Sequence, residues 1–372
     1  MGLTWQSWSL LHVFFFITFM ASGLFINGVQ FLLLHTVGHI SMDAYRRINF
    51  YLVWILYSQL LFLGTWWADS KMTLHVKADQ WDDIQAHIGH EHGLIVMNHH
   101  YEIDWLSGWM VADHFGVLGN ARVFIKSTMK YMPVLGWAWA MSDVGFLHRE
   151  WERDKDEISR CVRDIQEYPD PAWLLLFPEG TRKTDLKLKE GQEFARSRNM
   201  EPFQQHLVPK TKGFVQTLST LDPQKMPCIY DVTLAVKGNA GSPPTLSTIL
   251  KGRRVEAHVY VARIPITPEI QADPTTFLMN QFRFKDAIKS RFMEEGKFVD
   301  ESLFIETKRH LRVLVTFVLC NVMMLGAWFM LLSSAWFWSS WAPIVVVVII
   351  FSVLYYVMKK MISATEIRKK HD

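Results

Sequence analysis

The sequence has few cysteines, and two long stretches of it contain no charged residue. Its 372 residues include only Cys161, Cys228 and Cys320, and no two of them form a CxxC pair. This excludes a disulfide-stabilised scaffold and is typical of a domain that faces a reducing compartment. Residues 1–42 and 313–358 contain no Asp, Glu, Lys or Arg. Uncharged stretches of this length exclude an ordinary soluble enzyme.

The charged residues are concentrated in the middle of the chain. Residues 69–312 contain 32 Lys and Arg and 33 Asp and Glu, so this block is close to neutral. The overall charge of +3 comes from Arg46, Arg47 and the C-terminal tail. Proteins that bind nucleic acid carry a basic face within the folded domain. We therefore expect no nucleic-acid partner and a basic flank at a membrane surface.

Three regions are candidates for membrane segments. Residues 10–34 are uncharged, and as a helix they would extend about 37 Å, enough to cross a hydrocarbon core of about 30 Å. Residues 48–68 have the right length, but polar residues interrupt them, so they either span or lie in the interface. Residues 313–358 are long enough for two helices, and serines and a proline near their middle predict a hairpin.

The basic residues around these segments predict their orientation. The hairpin is flanked by Lys308, Arg309 and Arg312 on one side and by Lys359, Lys360, Arg368, Lys369 and Lys370 on the other. The positive-inside rule places both flanks, and the domain between the membrane segments, in the cytosol. Arg46 and Arg47 would then be luminal if both N-terminal segments spanned, so we expect the second to lie in the cytosolic leaflet.

The last four residues also bear on location. Lys369 and Lys370 occupy the fourth and third positions from the end, which resembles the dilysine signal that retrieves membrane proteins to the endoplasmic reticulum. The alternative is a solvated basic tail. We expect a multi-pass protein of the endoplasmic reticulum membrane.

The pattern of residues 69–312 predicts alternating strands and helices. Short apolar runs at residues 94–97, 122–125, 173–177 and 229–236 predict buried strands. Alternation from Val255 to Val261 predicts a strand with one wet face. One helix is predicted from Trp151 to a point before Pro169. Another begins at Asp273 and Pro274 and ends before Gly296, with Phe277, Phe284, Ile288 and Phe292 facing inward. This pattern indicates an α/β domain.

The first candidate for chemistry is the NHHYEID segment at residues 98–104, which follows a predicted buried strand. Residues at such a strand end lie at the sheet edge where α/β folds place ligands. His99 and Asp104 are five residues apart, so they can form a hydrogen bond only if a turn separates them. An imidazole oriented by a carboxylate acts as a general base. Taken alone, the pattern is also typical of a histidine that caps a helix.

The second candidate is the FPEGTR segment at residues 177–182, which follows another predicted strand. Pro178 and Gly180 predict a turn whose backbone N–H groups point outward, and Arg182 offers a planar fork suited to phosphate. The alternative is an ordinary turn with a solvated arginine. The segment predicts an anion site.

Together these motifs resemble the glycerolipid acyltransferase family, and within it the lysophosphatidate acyltransferases of animals. The GFLHR segment at 145–149 occupies the place of the family's arginine motif, and the LVPKTKGF segment at 207–214 and the YDVTL run at 230–234 add to the likeness. The family usually has Cys, Ile or Asp where His148 stands, so that residue is assigned no role. The resemblance covers residues 70–305 and the hairpin.

The resemblance implies a central mixed sheet flanked by helices, in a catalytic domain at 71–308 between membrane segments at 1–70 and 309–372. It implies that His99 is the base and Asp104 its orienting partner. The phosphate site then comprises Glu179, Gly180, Thr181, Arg182 and Lys210, assisted by Arg149. Some relatives that use lysocardiolipin carry Asp in place of Arg182, so the arginine favours a phosphomonoester headgroup.

The implied reaction is acylation of lysophosphatidate at its sn-2 hydroxyl. The partners are acyl-CoA, lysophosphatidate and membrane lipid, with no metal and no other cofactor. A thioester is already activated, so the hydroxyl can attack it once a base takes its proton. N–H groups of the turn at 179–181 are candidate oxyanion donors.

Three alternatives remain. The enzyme could act on another lysophospholipid. Six histidines between residues 75 and 100 also allow a metal-dependent lipid oxidase or desaturase. The third alternative is a lipid-binding membrane protein without catalysis.

Overall fold

The computed structural model describes residues 9–237 and 244–365. The basic tail with Lys369 and Lys370 lies outside these residues. Eight strands form one sheet in the order β4-β3-β5-β2-β6-β7-β1-β8. Their bounds are β1 Lys71–Lys77, β2 Gly93–Met97, β3 Ala121–Lys126, β4 Gly145–Leu147, β5 Trp173–Leu176, β6 Cys228–Lys237, β7 Glu256–Pro265 and β8 Ser302–Glu306.

The sheet is mixed. Strands β4, β3, β5, β2 and β6 run parallel to one another, whereas β6 and β7 are antiparallel. Strand β1 is parallel to β7, and β8 is antiparallel to β1 at the edge. Parallel neighbours need crossover connections, and helices provide them. The predicted α/β class, with a central mixed sheet and flanking helices, is confirmed.

The helices occupy both faces of the sheet and both ends of the chain. Those that precede the sheet or cross it are α1 Ser9–His35, α2 Val37–Ile40, α3 Met42–Phe62, α4 Trp81–His87, α5 Asp104–His114, α6 Leu135–Ala140 and α7 Trp151–Gln166. The later ones are α8 Asp185–Ser197, α9 Thr211–Thr220, α10 Leu246–Leu250, α11 Pro268–Ala272, α12 Pro274–Glu295, α13 Leu311–Ser333, α14 Ala335–Trp338 and α15 Ala342–Thr365. A π-helical turn, Leu63–Trp67, continues α3 toward β1.

The four strands predicted from short apolar runs are confirmed, but the expectation of a wet face on β7 is wrong. Tyr260 and Ala262 are buried against Ile288, Phe292 and Phe298. Helix α12 covers this face, and therefore both faces of β7 are packed. Strands β1, β4 and β8 were not predicted.

Helix α12 has the predicted bounds, and Phe277, Ile288 and Phe292 face the core as predicted, but Phe284 does not. Asp273 accepts a hydrogen bond from the N–H of Thr276 at its start, and Gly296 ends it with a φ of 76°. Phe284 is exposed, whereas Lys285 and Lys289 are fully buried. The buried face of the helix therefore includes two lysines that the apolar pattern did not predict.

In the part of the chain that the structure describes, three helical stretches are long and apolar enough to cross a membrane by length and composition: residues 11–40, 42–67 and 311–333. The hairpin turn predicted near Ser333 is present, since α13 ends there and α15 begins at Ala342. Helix α3 contacts the domain that contains the sheet. Arg46 forms an ion pair with Asp143 at 3.2 Å, and the indole of Trp54 donates to Asp113 at 3.0 Å.

Candidate active site

Two loops meet at one edge of the sheet because β2 and β5 are parallel neighbours. Val96 lies opposite Leu176, so residue 98 onward and residue 177 onward leave the sheet side by side. The side chain of Asn98 exchanges two hydrogen bonds with the backbone of Leu234 on β6, at 2.7 and 3.1 Å. These bonds fix the start of the loop that follows β2 against β6.

His99 and Asp104 form the hydrogen bond that the sequence predicted. Nδ1 of His99 lies 2.9 Å from Oδ2 of Asp104, whose side chain is 1% exposed, compared with 30% for His99. An ionised carboxylate only accepts, so the proton of the imidazole lies on Nδ1 and Nε2 keeps its lone pair. The ring stacks on Phe177 with its centroid 4.5 Å away. The arrangement can take a proton from a hydroxyl.

The intervening turn is held by Asp104 itself. Asp104 is the first residue of α5, and its carboxylate also accepts the backbone N–H groups of His100 at 2.7 Å and Tyr101 at 3.0 Å. A carboxylate is favourable at a helix N-terminus because orphan N–H groups point toward it. The N-cap residue of α5 is Ile103, and no side chain caps the helix. His99 is therefore not a helix cap and remains available for chemistry.

The side chain of Glu179 connects the two motifs through hydrogen bonds. Its side chain is 2% exposed, and its carboxylate accepts the N–H of His99 at 2.7 Å and that of Leu207 at 2.9 Å. Burial raises the pKa of Glu179, while these two backbone N–H bonds oppose that shift. The backbone of His99 is also fixed by its carbonyl, which accepts the N–H of Lys183 at 2.8 Å. Glu179 thus contacts backbone and positions the loop.

Basic side chains that line the same cavity as His99 include a cluster of four: Arg149, Arg182, Lys187 and Lys210. Burial lowers the pKa of Lys187, and the positive charges of the other three lower it further. Like charges gathered in one cavity raise each other's energy unless an anion compensates them. The cluster can bind a phosphate. Lys187 was not predicted, because nothing in its position on α8 distinguishes it from a solvated lysine.

The turn at 179–181 supports this cluster. Gly180 has a φ of 66°, and a Cβ there would lie 3.2 Å from Cδ of Lys210. Its N–H donates to the carbonyl of Phe177 at 2.9 Å, so this N–H is not available as an oxyanion donor. The hydroxyl of Thr181 accepts from Nζ of Lys187 at 2.6 Å. Gly180 and Thr181 therefore set the positions of two of the lysines.

Arg149 lies in a strained loop between β4 and α7. Its φ is 67°, which is uncommon for a residue other than glycine. The carboxylate of Asp154 holds the loop by accepting the N–H of His148 at 2.7 Å and that of Arg149 at 2.8 Å. His148 thus takes part through its backbone. The loop brings Arg149 to the cavity wall.

The cavity continues from His99 into an apolar branch, and its volume is about 1600 Å³. Aromatic and aliphatic side chains line this branch, among them Tyr57, Trp105, Trp109, Met132, Leu135 and Trp139. Farther on it is bordered by Phe16 of α1 and Phe317 of α13. One cavity thus joins His99, a basic cluster and an apolar channel lined by residues of α1 and α13.

Buried charges lie behind the two loops. Nζ of Lys289 is 2.9 Å from Nδ1 of His100, and Lys285 pairs with Asp231 at 2.9 Å. Burial lowers the pKa of Lys289 to about 8, and burial likewise lowers that of His100 to about 2. His100 is therefore neutral, and its Nδ1 accepts a hydrogen bond from the ammonium group of Lys289. The carboxylates of Glu179 and Asp104 oppose the shift of Lys289, so this cation balances the buried acids of the site.

The histidines between residues 75 and 100 have separate partners. His75 contacts His258 at 2.9 Å, and His92 accepts the N–H of Ala172 at 2.9 Å. Within residues 9–237 and 244–365, no three His, Cys, Asp or Glu side chains lie close enough to hold a metal ion.

Two family models match the chain: "Acyltransferase" over residues 76–236 and "Acyltransferase C-terminus" over residues 248–320. The chain is 34% identical to the mouse protein named 1-acyl-sn-glycerol-3-phosphate acyltransferase gamma, over 96% of this chain and 93% of that protein. It is 32% identical to the human gamma protein over the same shares. It is 31% identical to the rat delta protein, over 98% and 94%.

Proposed function

The chain belongs to the family of 1-acyl-sn-glycerol-3-phosphate acyltransferases, and from this premise we propose that it transfers an acyl group from acyl-CoA to the sn-2 hydroxyl of lysophosphatidate. The product is phosphatidate. The observation that carries the proposal is the single cavity in which His99, the basic cluster and an apolar channel meet. These are the three parts that a phosphorylated lysolipid and an acyl donor require.

His99 is the general base of the proposed reaction. Nε2 takes the proton of the sn-2 hydroxyl as its oxygen attacks the thioester carbonyl carbon. The carbon–sulfur bond then breaks, and the CoA thiolate leaves with the electron pair and receives a proton. Asp104, at 2.9 Å from Nδ1, orients the ring and stabilises the imidazolium. The thioester supplies the activation, so the step needs no enzyme nucleophile and no metal or other cofactor.

The basic cluster binds the phosphate of lysophosphatidate. A phosphomonoester carries nearly two negative charges at neutral pH, and Arg149, Arg182, Lys187 and Lys210 surround one part of the cavity. Gly180, Thr181 and Glu179 act indirectly by fixing the lysines and the His99 loop. The apolar branch accommodates the acyl chain, since burying chain carbons is favourable by about 0.8 kcal/mol each.

The proposal includes membrane attachment in the endoplasmic reticulum, with the catalytic domain at 71–308 facing the cytosol. Segments 1–70 and 309–372 are the membrane regions. The ion pair between Arg46 and Asp143 supports a position of α3 on the catalytic side of the membrane. Glycosylation acceptor sites placed near Arg46 test this, because their modification in the lumen would contradict the topology.

The activity test follows labelled oleoyl from oleoyl-CoA to a panel of lysophospholipids, with the full chain in nanodiscs. We expect transfer to lysophosphatidate that falls by about 100-fold or more in His99→Ala. His87→Ala, an exposed histidine on α4, is the matched control and retains activity. A chelator is added in parallel, and sensitivity to it would favour the metal-dependent alternative.

Two other outcomes would distinguish the proposed function from its alternatives. Transfer only to a different lysophospholipid would keep the mechanism and refute the assigned acceptor. Absence of any transfer, with the protein folded and bound to lysophosphatidate, would favour a lipid-binding protein.

A further inference from the structure

We propose that a second cavity, at the far end of α5 from His99, binds the phosphate headgroup of an anionic membrane lipid. This cavity has a volume of about 680 Å³. It is lined by His90 after α4, His114 at the end of α5, and His310 and Arg312 at the start of α13, together with Trp81 and Gln85. It shares no basic residue with the cavity that contains His99.

The side chains that converge here are mainly hydrogen-bond donors. Nδ1 of His114 accepts the backbone N–H of Lys308 at 3.4 Å, so its ring proton lies on Nε2. The rings of His114 and His310 are parallel, with centroids 6.4 Å apart. One carboxylate, that of Asp113, contacts the group, accepting from His310 and Arg312 at 2.9 Å each.

The carboxylate of Asp113 is shared among several donors. It is buried, and it also accepts the indole N–H of Trp54 at 3.0 Å. Burial lowers the pKa of His114, and the nearby charges of His310 and Lys308 lower it further. The cavity therefore combines the guanidinium of Arg312 with the ring N–H of His114 and the side chain of His90. Such N–H donors beside a guanidinium fit a phosphate.

The position of the cavity indicates that the phosphate belongs to a lipid. Helix α13, 23 residues long and apolar, begins at Leu311, and its N-cap residue His310 makes no side-chain capping bond. Helix N-termini with uncapped N–H groups favour anions. Arg309 lies 4.6 Å from the ring of Trp66, and Arg312 lies 5.3 Å from that of Trp54.

Tryptophan and arginine at the end of an apolar helix are typical of the headgroup level. Basic pockets beside such helices on the cytosolic side recognise anionic headgroups. Helix α5 connects this pocket to the active site, since Asp104 begins it and His114 ends it. Its 11 residues span about 16 Å. A bound headgroup therefore stabilises the helix whose first residue orients His99.

The test counts lipids bound to the intact protein by native mass spectrometry from a mild detergent. Dioleoyl phosphatidate is titrated, with dioleoyl phosphatidylcholine as the reference lipid and inorganic phosphate as a separate ligand. We expect two phosphatidate molecules per chain. Arg182→Ala weakens one of them, because that variant alters the basic cluster of the first cavity.

His90→Ala and His114→Gln weaken the other by about 10-fold or more, as expected for a lost charge-assisted hydrogen bond. His87→Ala, on the same helix as the pocket's Trp81 but outside its lining, is the matched control and binds normally. The readout is binding and does not depend on the proposed reaction, so failure of either proposal is recognised separately.

A single phosphatidate that is lost in Arg182→Ala and unaffected by both pocket variants would overturn the inference. Binding of inorganic phosphate at the pocket without any preference for phosphatidate over phosphatidylcholine would overturn its assignment to a lipid. Because His90 is exposed, its variant keeps the test valid even if His114→Gln were to fold poorly.

Discussion

Replacing Asp104 by asparagine tests whether its charge, and not only its shape, supports His99. Oδ2 of Asp104 accepts hydrogen bonds from Nδ1 of His99 and from the N–H of His100. The N–H of Tyr101 is shared by Oδ1 and Oδ2, at 3.0 Å from each, and Oδ1 accepts no other of these donors. The carbonyl oxygen of asparagine therefore takes the Oδ2 position, and its NH₂ faces Tyr101. Geometry at His99 is kept, while the negative charge beside the forming imidazolium is lost.

The expected loss of rate follows from the hydrogen bond between His99 and residue 104, whose acceptor changes from charged to neutral. Hydrogen bonds to charged groups contribute about 1.5–3 kcal/mol, and each 1.36 kcal/mol is about a factor of ten in rate. We expect kcat to fall by about 10- to 150-fold, with the KM of both substrates nearly unchanged. The one unfavourable contact at Tyr101 lowers the free energy of unfolding by about 1 kcal/mol.

Initial rates of CoA release in nanodiscs measure kcat and KM, and a thermal unfolding scan measures stability. Glu269→Gln removes an exposed carboxylate from the first turn of α11 and serves as the matched control, with unchanged rates. A kcat within threefold of the unsubstituted enzyme would refute the reasoning. So would a defect confined to the KM of acyl-CoA.

Three further predictions concern the charged groups of the site. Arg182→Ala raises the KM for lysophosphatidate more than that for acyl-CoA in steady-state kinetics; the reverse order would contradict the phosphate role. Lys289→Met leaves the buried carboxylate of Glu179 without its compensating cation and lowers the free energy of unfolding by about 3–5 kcal/mol, whereas the exposed Lys251→Met changes it little in the same denaturant titration. His100 has a pKa of about 2 when folded, so the unfolded chain binds an extra proton below its usual pKa of about 6.5. Stability is then lost as pH falls below about 6.5, by up to about 1.4 kcal/mol per pH unit from this group, and His100→Gln makes the unfolding midpoint less steep in pH. An unchanged slope would show that His100 is protonated in the folded state.

The parts of the site that the sequence predicts are those in which the chemistry follows a strand directly. His99 and Arg182 come within six residues of β2 and β5, and parallel strands bring their carboxyl ends to one edge. The contact between Nδ1 of His99 and Asp104 needed only a short turn. The positions of these residues in the sequence, shortly after strands, were enough to predict that they lie in the site.

The residues that escaped prediction depend on partners far away in the chain. Periodicity assigns a lysine on a helix to solvent, yet Lys285 of α12 is buried against Asp231 of β6. Phe284, a neighbour in the chain, takes the exposed position instead. Lys187 is similar, since its role arises only from the fold that brings Arg149 and Lys210 beside it.

The short strands were missed for a different physical reason. Strand β8 has the pattern of a partly exposed edge, with Leu303 and Phe304 exposed, and β4 has only three residues. Neither forms the continuous apolar run by which buried parallel strands are recognised. Strand β1 alternates polar residues with apolar ones and follows closely on α3, where the apolar segment dominates the pattern.

The apolar branch of the main cavity has a consequence for how rates depend on concentration. It is bordered by Phe16 of α1 and Phe317 of α13, helices whose other sides carry exposed apolar residues such as Phe31 and Val318. An acyl chain in this branch is continuous with the hydrocarbon around the helices, so the enzyme samples its lipid substrate in two dimensions. The relevant quantity is then the surface mole fraction of lysophosphatidate, and diluting the bilayer with inert lipid slows the reaction at constant bulk concentration.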